Sequence, residues 1–89
     1  VTPRQAWNEA CDELERAAKV AMTLARIRPA LRACGAEEEV IKHMDDRVAA
    51  AWALYYEAKE VAETAALRMR RAMEEEVREA YGRECEETT

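Results

Sequence analysis

The chain has 89 residues, a net charge of −5 and 37% charged residues, with no Phe and only two Gly and two Pro. That length makes one domain, residues 1–89, with a modest buried fraction, and no apolar run approaches the roughly 20 residues that cross a bilayer. The 49% hydrophobic content overstates the core, because 19 of those residues are Ala, leaving 22 larger apolar side chains and three Cys. Abundant Ala, Glu and Arg with so few breakers is the profile of long helices whose core a partner completes.

The first predicted element opens at "VTPRQAW". Thr2 is placed to cap a helix, Pro3 suits its first position, and Gln5 stands three after Thr2 as a capping box requires. Trp7, Ala10, Leu14, Ala17, Ala21, Leu24, Arg28 and Leu31 then mark a heptad seam, with a flanking column at Val20, Ile27 and Cys34. Helix 1 is expected over about 3–34. Pro29 cannot donate to the carbonyl four residues back and drives Arg28 from helical geometry, which predicts a kink or break at 28–29.

"CGAEEE" predicts a turn over 34–36, with Gly35 just past the helix and three acids suited to the next N-terminus. From Ala36 to Tyr81 there is neither Gly nor Pro. The seam continues through Ile41, Met44, Val48, Ala51, Tyr55, Ala58, Ala62, Ala65, Met69 and Ala72, flanked by Val40, Leu54 and Val61. Helix 2 is expected over about 36–82, ending at Gly82, with a tail over 83–89. A hairpin turning at residue 35 pairs positions whose numbers add to about 70, so Trp7 falls opposite Glu63.

The helices are unequal. Helix 1 runs out near residue 67, and about fifteen further residues of helix 2, some 20 Å, overhang it. The overhang keeps an apolar stripe, Met69, Met73, Val77 and Tyr81, which is an unfinished interface. The expected fold is all-α: a helical hairpin, its first helix kinked and its second long, completing a coiled-coil or four-helix bundle by association. The alternative, a break near Thr64–Arg68 that folds the overhang back into a three-helix bundle, has no breaker residue to cause it.

Charge divides along the chain. Residues 1–35 carry six bases and four acids, and residues 36–89 eight and fifteen. Arg16 to Arg32 holds bases and no acid, while Glu37–Glu39 and Asp45–Asp46 follow directly. Such segments suit helices folded on each other, which shields the basic one and argues against a nucleic-acid surface. The bases at 68–71 are likewise answered by Glu74–Glu76.

Few residues suggest chemistry. His43, with Glu39 and Asp46 on its helical face, lacks the ligand set of a zinc site and has no nucleophile beside it. Cys11, Cys34 and Cys85 fall too far apart in the hairpin for an intrachain disulfide. Cys34 reads as a buried small apolar residue and Cys85 as a tail thiol able to join only another molecule. An odd cysteine count leans towards reduced thiols and an intracellular setting. The opening at Val1, without Met, suits a processed product or an excised segment.

Arg28, Arg47 and Lys59 lie on or beside the apolar columns. Inward bases of that kind bind acidic substrates in small helical-bundle enzymes, which is the alternative function; their long stems more simply snorkel from the seam edges. Trp52 and Tyr55 read as core, and Tyr56, off the seam, as an outward contact. The expectation is a non-enzymatic helical interaction or scaffolding module, self-associating or docking as a small subunit of a larger assembly. Its expected contact residues are Met69, Met73, Val77, Tyr81 and Tyr56. Its expected partners are proteins, with no catalytic or metal residues, no cofactor, no nucleic acid and no membrane insertion.

Overall fold

A computed structural model describes the backbone of residues 1–87 and the side chains of residues 1–83. Two helices, α1 (Pro3–Ala33) and α2 (Glu38–Glu87), pack as an elongated antiparallel hairpin. α1 starts as its capping sequence requires: the Gln5 amide donates to Thr2 Oγ1 at 3.2 Å, and the Thr2 amide donates to Gln5 Oε1 at 3.1 Å. Two of the amides that a helix start leaves without intrahelical acceptors are thereby satisfied.

Pro29 lies inside α1 and does not end it. Having no N–H, it leaves the Ala25 carbonyl without its usual donor, yet the helix carries on for one more turn. Leu31, half-buried on the seam, holds that turn against α2. At the end, the Ala36 amide donates to the Leu31 carbonyl at 3.0 Å and the Gly35 amide to the Arg32 carbonyl at 3.1 Å. With Gly35 at φ +74°, this is a Schellman motif.

α2 begins at Glu38 rather than at Ala36: the reversal takes up Gly35 and Ala36, and the first turn of α2 closes on the Glu37 carbonyl, which accepts from Val40 at 3.0 Å and Ile41 at 3.1 Å. Glu38 and Glu39 then occupy the first turn, where the helix dipole favours negative charge. The turn thus takes four residues, 34–37. Opposed positions add to 71–73, not 70: Ala33 and Glu38 flank the turn, Arg28 bonds Asp45, and Pro3 shares a depression with Arg68.

α2 does not stop at Gly82. It runs 50 residues to Glu87, so most of the expected tail is helical. One Gly costs a helix only about 1 kcal/mol, and Gly82 has no positive φ to turn the chain. The fold-back three-helix alternative is excluded by this continuity. The hairpin measures 79 × 16 × 15 Å, with a radius of gyration of 21.9 Å, against about 12 Å for a compact domain of this length.

The seam reads as expected. Every α2 seam position from Ile41 to Ala72 is buried or half-buried, as are Trp7, Ala10, Leu14, Ala17, Ala21, Leu24 and Leu31 of α1; Arg28, expected on the same seam, is exposed. Among the described residues the buried ones are all alanines: Ala10, Ala21, Ala51, Ala62 and Ala65. Trp7 and Leu14 pack against the cluster of Ala10, Ala62 and Ala65. The flanking columns are a correction: Val20, Ile27, Val40, Leu54 and Val61 are exposed, and so is Cys34. The half-buried flank is the opposite one, carrying Cys11, Ala18 and Ala25 of α1 with Trp52 and Ala66 of α2. Small residues shield one another where backbones come close, whereas Val and Leu standing off a two-helix seam have no third helix over them.

The two glycines should respond oppositely to alanine. A Cβ meets nothing within 4 Å at either site, so only backbone preference counts. Gly35→Ala forces a side chain into the left-handed region and is expected to cost about 1 kcal/mol or more, while Gly82→Ala should stabilise by up to about 1 kcal/mol. Thermal melts of the two variants check the signs. Replacing Ala62 and Ala65 with Leu should destabilise by about 1–3 kcal/mol per site, because the backbones must part; an unchanged melting temperature would mean that the seam tolerates separation.

Candidate functional site

Two apolar surfaces remain open on the hairpin. α1 begins at about the level of Arg68, so α2 continues alone from there. The overhang is longer than expected from sequence, some 28 Å from residue 69 to residue 87. Met69, Met73, Val77 and Tyr81 recur every fourth residue, one helical turn apart. Together with Trp7 and Ala66 they line an open depression of about 770 Å³, rimmed by Arg70, Glu74 and Arg78. Met69 is half-buried, while Met73 is 56% exposed and Val77 and Tyr81 are each 69% exposed.

Tyr56 is 59% exposed and is not part of that stripe. Its ring lies 5.4 Å from Tyr55 and 6.4 Å from Trp52, and Trp52 meets Tyr55 edge-on at 5.4 Å and 88°. The Trp52 contacts follow from placing aromatics three and four residues apart on one helix, while Tyr55 and Tyr56 meet as neighbours in the chain. They form an outward ladder, with Trp52 and Tyr55 half-buried rather than fully in the core.

The second surface was missed by sequence reasoning. A groove of about 900 Å³ runs between α1 and α2, with Val20 and Leu24 on one wall and Leu54 and Val61 on the other. Ala10, Ala17, Ala51 and Ala58 line it between these larger residues. Its signal was present: Val20 and Ile27, like Leu54 and Val61, are seven residues apart. That spacing was assigned to contacts within the hairpin, where these side chains are not used.

The bases proposed for a substrate site do not converge. Arg28 uses Nε and Nη2 to reach the Asp45 carboxylate, the second bond measuring 3.4 Å. Arg47 instead lines the groove, and Lys59 is exposed. His43, Glu39 and Asp46 are all exposed. Among the described residues no group of three or more His, Cys, Asp or Glu side chains could hold a metal, and no helix is long and apolar enough to cross a membrane. The expectation that Cys85 could join another molecule lies outside the described side chains. Compared with protein-family models, curated proteins and solved structures, the chain finds no match in any of the three.

The Arg28–Asp45 pair holds the turn end of the seam, but both side chains are more than 40% exposed, and ion pairs in that setting contribute about 0–1 kcal/mol. Arg28→Met is therefore expected to shift stability by less than about 1 kcal/mol, as read by urea denaturation. Loss of the folded hairpin in this variant would show instead that the pair sets the register.

Proposed function

We propose that this chain is a helical interaction and scaffolding module without chemistry of its own. It completes a helical bundle by associating with copies of itself or by docking as a small subunit of a larger assembly. One observation carries the reading: no large side chain among the described residues is fully buried, while twelve large hydrophobic residues are exposed. That is more than half of the 22 larger apolar residues in the sequence. The accessible surface is 7490 Å², against about 5,300 Å² for a compact protein of this mass. The excess, about 2,200 Å², exceeds the roughly 800 Å² that each partner contributes to a standard interface.

The overhang is the first contact region. Met69, Met73, Val77 and Tyr81 are apolar and adjacent, and past Trp7, which borders Met69, α1 leaves Met73, Val77 and Tyr81 exposed. Burying four such side chains is worth about 6–10 kcal/mol before the costs of association. Tyr56 offers a further contact on the hairpin itself. The exposed aromatic and methionine content of these positions suits a protein partner.

Sedimentation equilibrium over a wide concentration range tests the reading. The wild-type mass should rise above the 10.2 kDa of a single chain. Met69→Asp combined with Met73→Asp should lower that mass at equal concentration, with the helical circular dichroism of residues 3–65 retained. A wild-type chain that stays at the single-chain mass rules out self-association and leaves docking on another protein; a double variant that unfolds altogether contradicts the reading of the stripe as a contact region.

A further inference from the structure

The groove between α1 and α2 has a polarity that singles out its occupant. Leu54 stands midway between Arg47 and Val61 on the α2 wall, each about 10 Å from it along the axis. Arg47 lies at the turn end of the groove, while Glu57 on α2 and Glu9 and Glu13 on α1 lie towards the open end, where Arg16 is already paired with Glu13. Neither Arg47, Glu57 nor Glu9 forms an ion pair among the described residues. On α1 the same division extends further: Glu9, Asp12, Glu13 and Glu15 precede a run from Arg16 to Arg32 that holds no acid.

We propose that the groove is a homodimer interface, in which a second copy of this chain lies antiparallel, face to face, about a two-fold axis that crosses the helices near Leu54. This deepens the association reading and rests on it. The two-fold rotation lays α2 on α2 and α1 on α1, each antiparallel, with Leu54 beside Leu54 of the second copy. Arg47 comes level with Val61 of the second copy, about one turn from its Glu57 and near the level of its Glu9 and Glu13. On α1, the acidic segment comes level with the basic run of the other chain.

The competing symmetric arrangement does worse. Rotation about the long axis sets each α2 on the α1 of the other copy, at unchanged levels. Arg47 then comes level with residues 24–26 of the other α1, inside its acid-free run, and gains no carboxylate partner. Charge therefore selects the antiparallel dimer, and an isologous interface of this kind closes on itself. The exposed Val20 and Val61 (53% and 59%) and Leu54 (61%) become the middle layers of a four-helix bundle, between alanines that let the backbones approach. Ile27 and Val40 extend the same rows towards the turn. The surface needed, about 800 Å² per chain, is well within the excess already noted. The two overhangs project from opposite ends of this dimer, and their stripes remain open for other contacts.

The test uses the whole chain. Met69→Asp with Met73→Asp should remove stripe contacts yet leave a dimer of twice 10.2 kDa. Arg47→Glu in that background should weaken the dimer at least tenfold, and adding Glu57→Arg should restore most of the loss. In a chain with all three native cysteines changed to Ala, Leu54→Cys should form a disulfide-linked dimer under copper–phenanthroline oxidation. Val61→Cys should not, because Arg47 stands opposite it. If the stripe variant is monomeric while the wild type associates, the groove proposal fails and the association reading stands. A wild-type monomer sinks the groove proposal and self-association, leaving only docking on another protein. A persistent dimer in which Leu54→Cys does not cross-link overturns the antiparallel arrangement.

Discussion

The structure depends on the close approach of two helices along a seam of alanines. Ala10, Ala21, Ala51, Ala62 and Ala65 are its buried residues, and none is large enough to hold the backbones apart. Close approach lets Trp7 and Leu14 pack across the joint, but an alanine seam also limits the apolar area that the hairpin hides. At about 25 cal/mol per Å², five methyl-sized side chains contribute little beside the cost of ordering 80-odd residues. Larger apolar side chains such as Val20, Leu54 and Val61 stand beside the seam and remain exposed.

The four-residue turn sets which residues oppose one another. Gly35 in the left-handed region, the paired Schellman bonds and the carbonyl of Glu37 together fix where one helix ends and the other begins. From that point the unequal lengths decide the rest: 31 residues cannot cover 50. The exposed stripe of the overhang is therefore a consequence of the turn's position. The interhelical groove is instead a consequence of flank choice, since the hairpin half-buries the small-residue flank and leaves the Val- and Leu-bearing one open.

This division separates shape from chemistry. Arg28 and Asp45 neutralise each other near the turn, Arg47 faces the groove, and Lys59 stands in solvent. Three bases spread in this way form no common substrate pocket. The larger depressions are mainly apolar, the stripe from Met69 to Tyr81 and the groove walls at Val20 and Leu54, and both are open.

Much was readable from the residues themselves. The capping box at Thr2–Gln5, the positive-φ glycine at 35 and the seam from Ile41 to Ala72 are all local consequences of residue type and spacing, and each is found where the sequence puts it. Three features were not local. Pro29 continues inside α1, because packing of Leu31 against α2 holds the turn that follows. Gly82 lies within α2, because nothing there asks for a reversal and the helix loses only about 1 kcal/mol by running on. The third was which flank would be covered. Heptad spacing identifies a seam and two flanks alike, and only the packing of one helix on the other leaves Val20, Leu54 and Val61 facing outward. Sequence by itself determined two amphipathic helices and the turn that joins them, since those follow from periodicity and backbone preference. The tertiary structure decided what is left exposed, because exposure depends on which faces meet.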